Sequence, residues 1–195
     1  MKRLFDLLLS AFGLLILAVP LALLALQVRR KLGSPVLFIQ LRPGLHGRPF
    51  RMVKFRTMTD TRGPDGELLP DEQRLTSFGK FLRSTTLDEF PEMWNVLIGD
   101  MSVVGPRPLL MCYLCRYDAF QARRMEVRPG VTGWAQVNGR NSLTWEEKFA
   151  LDVWYVDHRT FWLDMKIVVM TFFKVFARSG INSGEGKTME EFRGR

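Results

Sequence analysis

The sequence predicts a mixed α/β fold, mostly helical, with one small β-hairpin and an apolar N-terminal helical segment that meets a membrane. Three observations predict it. Residues 7–26 are almost all apolar, a run long enough to cross the hydrocarbon core of a bilayer as one helix. Two short runs with strand character, residues 36–41 and 50–58, flank the turn sequence RPGLHG, which is hairpin chemistry. Thr86 with Glu89, and Thr144 with Glu147, fit the T-x-x-E capping box that opens a helix.

Composition narrows the partners. A chain of 195 residues is one domain of ordinary size plus a membrane element, and 47% hydrophobic residues permit a real core. Twenty-eight basic against 20 acidic residues leave a net charge of +8. That surplus calls for an anionic partner, either a phosphate-bearing substrate or an anionic membrane. The charge is spread without a long Lys/Arg run, and no nucleic-acid reading module is recognisable, so no nucleic acid is expected. Cys112 and Cys115 are the two cysteines. They could form a redox pair or half a zinc site, but with no second pair, and only His46 and His158 besides, they read as small apolar residues packing on one face of a helix.

The N-terminal run carries two complications. Pro20 lies inside it and would kink or break the helix there. Lys2 and Arg3 precede it, while Arg29, Arg30 and Lys31 follow. The positive-inside rule then puts both ends in the cytoplasm, which a re-entrant helix bending at Pro20 satisfies. A plain transmembrane anchor is the alternative these residues leave open. A cleaved signal peptide fits badly, because the run is long and RRK follows without an A-x-A site. Carbonyls freed near Ile16 need donors, and Ser10 is a candidate. Asp6 sits at the membrane edge with Lys2 and Arg3 as expected charge partners.

Gly33, Ser34 and Pro35 end this helix. In the second strand, alternation places Lys54 and Arg56 on one face and Val53 and Phe55 on the other. Two cations side by side suit a diphosphate; a solvated strand face is the plainer alternative. Residues 60–74 are polar and rich in Gly and Pro, a mobile loop that either covers a substrate or only connects.

Residues 82–108 organise the rest. Asp88 and Glu89 follow a run of hydroxyl residues, Phe90, Met93, Trp94 and Leu97 continue in helical period, and Arg83 and Arg107 bracket the segment. Pro91 fits only in a first helical turn, which places Asp88 at a helix N-terminus where the dipole favours its ionised form. An ionised Asp there can be a nucleophile or can hold Mg²⁺, or it can simply cap the helix. Residues 109–124 read as a helix. Pro129, Gly130, Gly133, Asn138 and Gly139 then exclude a long one, and a helix runs from Thr144 through Tyr155. Residues 161–176 read either as an interfacial helix with Trp162, Lys166 and Lys174 at the lipid surface or as a buried core helix. Residues 179–195 are polar and read as loosely held.

The stretch R-x-T-T-L-D-E-F-P-E-M-W-N-V-L-I-G-D-M-S-V-V-G-P-R-P resembles the signature block of the bacterial sugar transferases, the small monotopic polyprenyl-phosphate phosphoglycosyl transferases. The likeness extends to K-F-R-T-M at 54–58, P-G-V-T-G-W-A-Q-V-N-G-R-N at 129–141 and D-V-W-Y-V at 152–156. It implies a monotopic membrane protein at the cytoplasmic face of the bacterial inner membrane. Residues 1–31 form the re-entrant helix broken at Pro20, and residues 32–195 form a membrane-associated catalytic domain. Family members often carry Ser before that Pro, where this chain has Val19. The implied reaction moves a sugar-1-phosphate from a UDP-sugar to undecaprenyl phosphate and releases UMP, by a ping-pong route through a phosphosugar covalently held on Asp88. By the same resemblance Asp88 and Glu89 are the catalytic and Mg²⁺-holding residues. Lys54, Arg56, Arg83, Arg107 and Arg140 are the substrate-binding cations, and downstream glycosyltransferases are possible partners. The sugar is left open, with a lean toward N-acetylated amino sugars.

Overall fold

A computed structural model describes residues 1–139, 142–176 and 191–194. The chain begins with α1 (Lys2–Ile16) and α2 (Ala18–Leu32), bent by 65° at Leu17. Neither helix alone is long and apolar enough to cross a membrane, but together they meet that test of length and composition. The break falls three residues before Pro20. Proline has no N–H to give the carbonyl of Ile16, so the second helix restarts with Pro20 inside its first turn, where that N–H is not needed. The Ser10 hydroxyl does not serve the freed carbonyl; it donates to Asp6 O at 2.7 Å. Leu4, Leu8, Phe12 and Leu15 are exposed along one side of α1, while Asp6 and Ser10 are buried on the other.

Asp6 takes partners other than those expected. Its carboxylate accepts from Ser102 Oγ at 2.9 Å and from Val103 N at 3.1 Å. Lys2 instead pairs with Asp164 at 2.6 Å, and Arg3 donates to the Val96 and Leu97 carbonyls near the end of a later helix. The foot of α1 is thereby fastened to the domain by polar contacts, of which those of Asp6 are fully buried.

The hairpin forms as expected, from β1 (Leu37–Pro43) and antiparallel β2 (Pro49–Phe55), with Phe38 opposite Lys54 and Arg42 opposite Phe50. Residues 60–74 hold a bridge between Arg62 and Leu68 and then α3 (Asp71–Arg74). Next comes α4 (Ser77–Ser84), capped by Thr76, whose hydroxyl accepts from Gly79 N. The helix of the signature segment, α5 (Glu92–Ile98), begins later than the capping box implied. Thr86 adopts φ 60° and caps nothing, Leu87–Glu89 is a single 3-10 turn, and Pro91 occupies the N-cap of α5. The box fails because Glu89 is drawn away into ion pairs.

A second sheet was not legible in the sequence. β3 (Ser102–Val104) pairs in parallel with β4 (Gly130–Thr132), and three-residue strands are too short to show alternation. Residues 109–124 are not one helix. A 3-10 turn at Met111–Arg116 precedes α6 (Ala119–Ala122), because Asp118 and Gln121 form a capping box that restarts the chain. Cys112 and Cys115 lie exposed on that 3-10 turn, so their expected packing role is not observed.

A short α7 (Trp134–Asn138) follows. Then α8 (Trp145–His158) forms with both halves of its Thr144/Glu147 capping box in place, and α9 (Phe161–Phe176) closes the fold. On α9, Ile167 is fully buried while Trp162, Phe172 and Phe173 are exposed, so one face serves the core and the other is left apolar and open. The main core gathers Phe50, Met52, Val96, Met101, Val103, Tyr155 and Ile167. The C-terminal residues are not loose throughout. Phe192 is buried against Tyr113 and Phe149, and its N–H donates to Tyr113 Oη.

Candidate active site

The site lies where β2, the Leu87–Glu89 turn, α5 and the segment after β3 converge. Asn95 sets the geometry. Its amide donates to Arg51 O at 2.7 Å and accepts from Val53 N at 3.0 Å, pinning α5 to β2. One turn earlier on α5, Glu92 therefore meets Lys54 of β2, at 2.9 Å and off the hydrogen-bond direction. Lys54 also donates to Glu89 Oε1 at 2.9 Å.

Arg107 approaches from the other side and grips both Glu89 oxygens, one of them at 3.1 Å. The backbone before it is tightly constrained: Gly105 N donates to Thr132 O, Gly130 N donates to Pro106 O, and a Cβ on Gly130 would lie 2.1 Å from Gly105 N. Only glycine lets β3 and β4 approach this closely. Arg124, itself paired with Asp152 at 2.7 Å in a buried bridge, donates to the Arg107 carbonyl.

Three acids thus share one pocket in different states. Burial opposes the Glu89 charge, but Arg107 and Lys54 overcome it and hold this carboxyl well below the usual range. Glu92 is pushed up to about 7, first by burial and then by the charge of Glu89. Asp88 is pushed up to about 6 for the same two reasons. The helix-terminus rationale for an ionised Asp88 does not apply, since α5 begins four residues later. Thr86 in the left-handed region, a strain of about 1–3 kcal/mol for a non-glycine residue, carries the chain into the turn that buries Asp88. Among the described residues no side-chain donor is bonded to the Asp88 carboxylate.

The expected cations are only partly brought together. Lys54 and Arg107 face the acids directly. Arg83 donates to Thr57 Oγ1 at 3.0 Å. Arg56 turns to Asp60 at 2.9 Å instead of joining Lys54 on the acids. Arg140 lies outside the described residues. Glu92 and Asn95 were missed as site residues. The available signal was two polar groups at i and i+3 inside an apolar helical pattern, an arrangement that a core helix avoids without a reason.

No group of three His, Cys, Asp or Glu residues arranged as a metal site occurs among the described residues. The donor set still fits Mg²⁺ in one respect. Mg²⁺ takes one or two carboxylates and completes its shell with phosphate oxygens and water, and Asp88 offers such a carboxylate. Glu89 has both oxygens engaged by cations in this arrangement.

An apolar cavity of about 320 Å³ adjoins the turn, between Leu17, Pro20, Leu21 and Leu24 of the bent pair and Leu87 and Phe90, which flank the two acids. A buried carboxylate near cations thus lies beside an apolar cavity lined by the bend of the apolar helix pair. The chain belongs to the bacterial sugar transferase family, whose model matches residues 1–178.

Among its relatives is a Bacillus subtilis (strain 168) protein named uncharacterized sugar transferase EpsL, 55% identical over 194 residues, covering all of this chain and 96% of the relative. The Klebsiella pneumoniae UDP-glucose:undecaprenyl-phosphate glucose-1-phosphate transferase is 39% identical over 185 residues, covering 90% of this chain and 40% of the relative. The Salmonella typhimurium undecaprenyl-phosphate galactose phosphotransferase is 36% identical over 197 residues, covering 92% and 41%. The chain therefore spans nearly all of the first relative and about two-fifths of the other two.

Proposed function

We propose that this protein transfers a sugar-1-phosphate from a UDP-sugar to undecaprenyl phosphate, releasing UMP. An Asp88 oxygen attacks the donor's β-phosphorus, and the bond from that phosphorus to the bridging oxygen breaks as UMP leaves with the electron pair. A phosphate oxygen of the acceptor then attacks the same phosphorus, breaking its bond to Asp88 and freeing the carboxylate. The kinetics are ping-pong. Lys54, Arg83 and Arg107, with Arg56 and Arg140 as further candidates, supply fixed positive charge to the diphosphate oxygens. Glu89 holds Lys54 and Arg107 in place. Asp88, with Glu89 beside it, would hold Mg²⁺, which would supply charge neutralisation of the diphosphate.

One observation carries this reading. Of the three acids in the pocket, Asp88 is the one with no cation paired to it among the described residues; it is buried beside Glu89, which pairs with Lys54 and Arg107, and Glu92, which pairs with Lys54. The apolar cavity next to it suits a prenyl chain. The bent pair, basic at both flanks, suits re-entry from the cytoplasmic face of the inner membrane, with residues 1–31 in the lipid and residues 32–195 forming a monotopic catalytic domain. The product is a lipid-linked sugar that downstream glycosyltransferases extend, the first membrane step of a bacterial glycoconjugate.

The test is UMP release in lipid nanodiscs containing undecaprenyl phosphate and Mg²⁺. The donors are UDP-glucose, UDP-galactose and UDP-N-acetylated amino sugars, each assayed with wild type and Asp88→Asn. Release by wild type alone is expected, together with a trappable phosphosugar-enzyme. Equal UMP release by both proteins would remove Asp88 as the nucleophile, and no release from any donor by folded wild type would turn the reading toward a membrane-anchored scaffold.

A further inference from the structure

We propose that Arg42 is a further anion-binding residue of this site, offering its unpartnered Nε–H to a phosphate oxygen of the donor nucleotide. The inference rests on the transferase reading above. It starts from the hairpin register. Arg42 stands opposite Phe50, and Phe38 opposite Lys54. Directly paired and alternate residues share a face of the ribbon, so Arg42 projects from the same face as Lys54. That face carries Phe50 and Met52 into the core.

The charge there makes no direct ion pair among the described residues, although Glu92 lies near enough to favour it. Arg42 Nη2 donates to Gln40 Oε1 at 2.7 Å, a neutral acceptor, while its buried Nε has no hydrogen-bond partner among the described residues. Lys54, Arg56, Arg107 and Arg124 each have a carboxylate within ion-pair distance. Arg42 has none among the described residues. Pro43 and Gly44, which follow Arg42, wall the same cleft as Arg107, Pro106 and Pro108. Burial, and then the proximity of Arg107, lower the Arg42 pKa. Two guanidinium groups close enough to act on each other's charge, one with a buried donor unbonded among the described residues, form an arrangement that an anion completes. A nucleotide phosphate is the anion this reaction brings.

The probe is UMP. Its affinity is measured by calorimetry in nanodiscs for wild type, Arg42→Gln and Arg42→Lys, with thermal midpoints recorded alongside. Loss of a charged hydrogen bond is expected to weaken UMP roughly 10- to 100-fold in Arg42→Gln. Arg42→Lys, which keeps the charge but not the fork, should fall between. If Arg42→Gln binds UMP within twofold of wild type, the inference falls and the transferase reading stands. If wild type neither binds UMP nor releases it from any donor, both fall. Should the variants not fold, a structure of wild type with UMP decides: a phosphate oxygen within hydrogen-bond distance of Arg42 supports the assignment, and a phosphate held elsewhere overturns it.

Discussion

Glu92→Gln should change how stability responds to pH, and the size of the effect follows from the pocket. The Glu92 carboxyl is pushed from an ordinary 4.5 up to about 7, by burial and then by Glu89. Between those two values the folded protein keeps a proton that the unfolded chain has released. Stability must therefore fall as pH rises through that window, by about 1.4 kcal/mol per pH unit. Summed to pH 7, the loss is about 3 kcal/mol, and it is complete above that pH. A glutamine carries no charge at any pH and escapes this loss. The thermal midpoint of Glu92→Gln relative to wild type should thus climb steadily from pH 4.5 to 7 and then level off. For a chain of this size about 3 kcal/mol corresponds to roughly 6–12 °C. The assay is thermal unfolding of both proteins in the same nanodiscs across pH 4.5–8.5. A midpoint difference that stays constant with pH, or one that shrinks toward neutrality, would refute the placement of Glu92 as a buried acid held against Glu89.

Three further outcomes are expected. The kcat/KM for the donor should show an acid limb near pH 6, because Asp88 must lose its proton to attack and its carboxyl is pushed up to about 6; a limb near 4 would contradict its burial beside Glu89. Phe192→Ala should cost about 3–5 kcal/mol in denaturation experiments, since that ring is buried against Tyr113, Phe149 and Trp145; an unchanged midpoint would mean the C-terminal residues do not dock. Gly130→Ala should cost upwards of about 3 kcal/mol and lower UMP release with it, because the new Cβ would meet the backbone of Gly105 and Thr132 and displace the segment carrying Arg107; normal activity would show that β3 and β4 are not held this tightly.

The sequence by itself determined the parts of this protein that rest on local pattern. The long apolar run with a proline inside it, the hairpin around RPGLHG, and the capping box before α8 are short-range signals, and each element formed. The signature segment was enough to place the chain in its family and to single out Asp88, Glu89 and Arg107, and the K-F-R-T-M run singled out Lys54. Only the tertiary structure decided what those residues do to one another. Glu89 is spent on Arg107 and Lys54 instead of capping a helix, because two cations from distant segments outbid a single backbone N–H. The helix therefore starts late, and Asp88 is left buried with no cation paired to it among the described residues. Asp6 answers to β3 and not to its own neighbours Lys2 and Arg3, Cys112 and Cys115 face solvent, and Arg56 turns away to Asp60. In each case the deciding partner lies where a local pattern cannot reach, or local propensity gave way to a stronger charge or a closer packing from elsewhere in the chain.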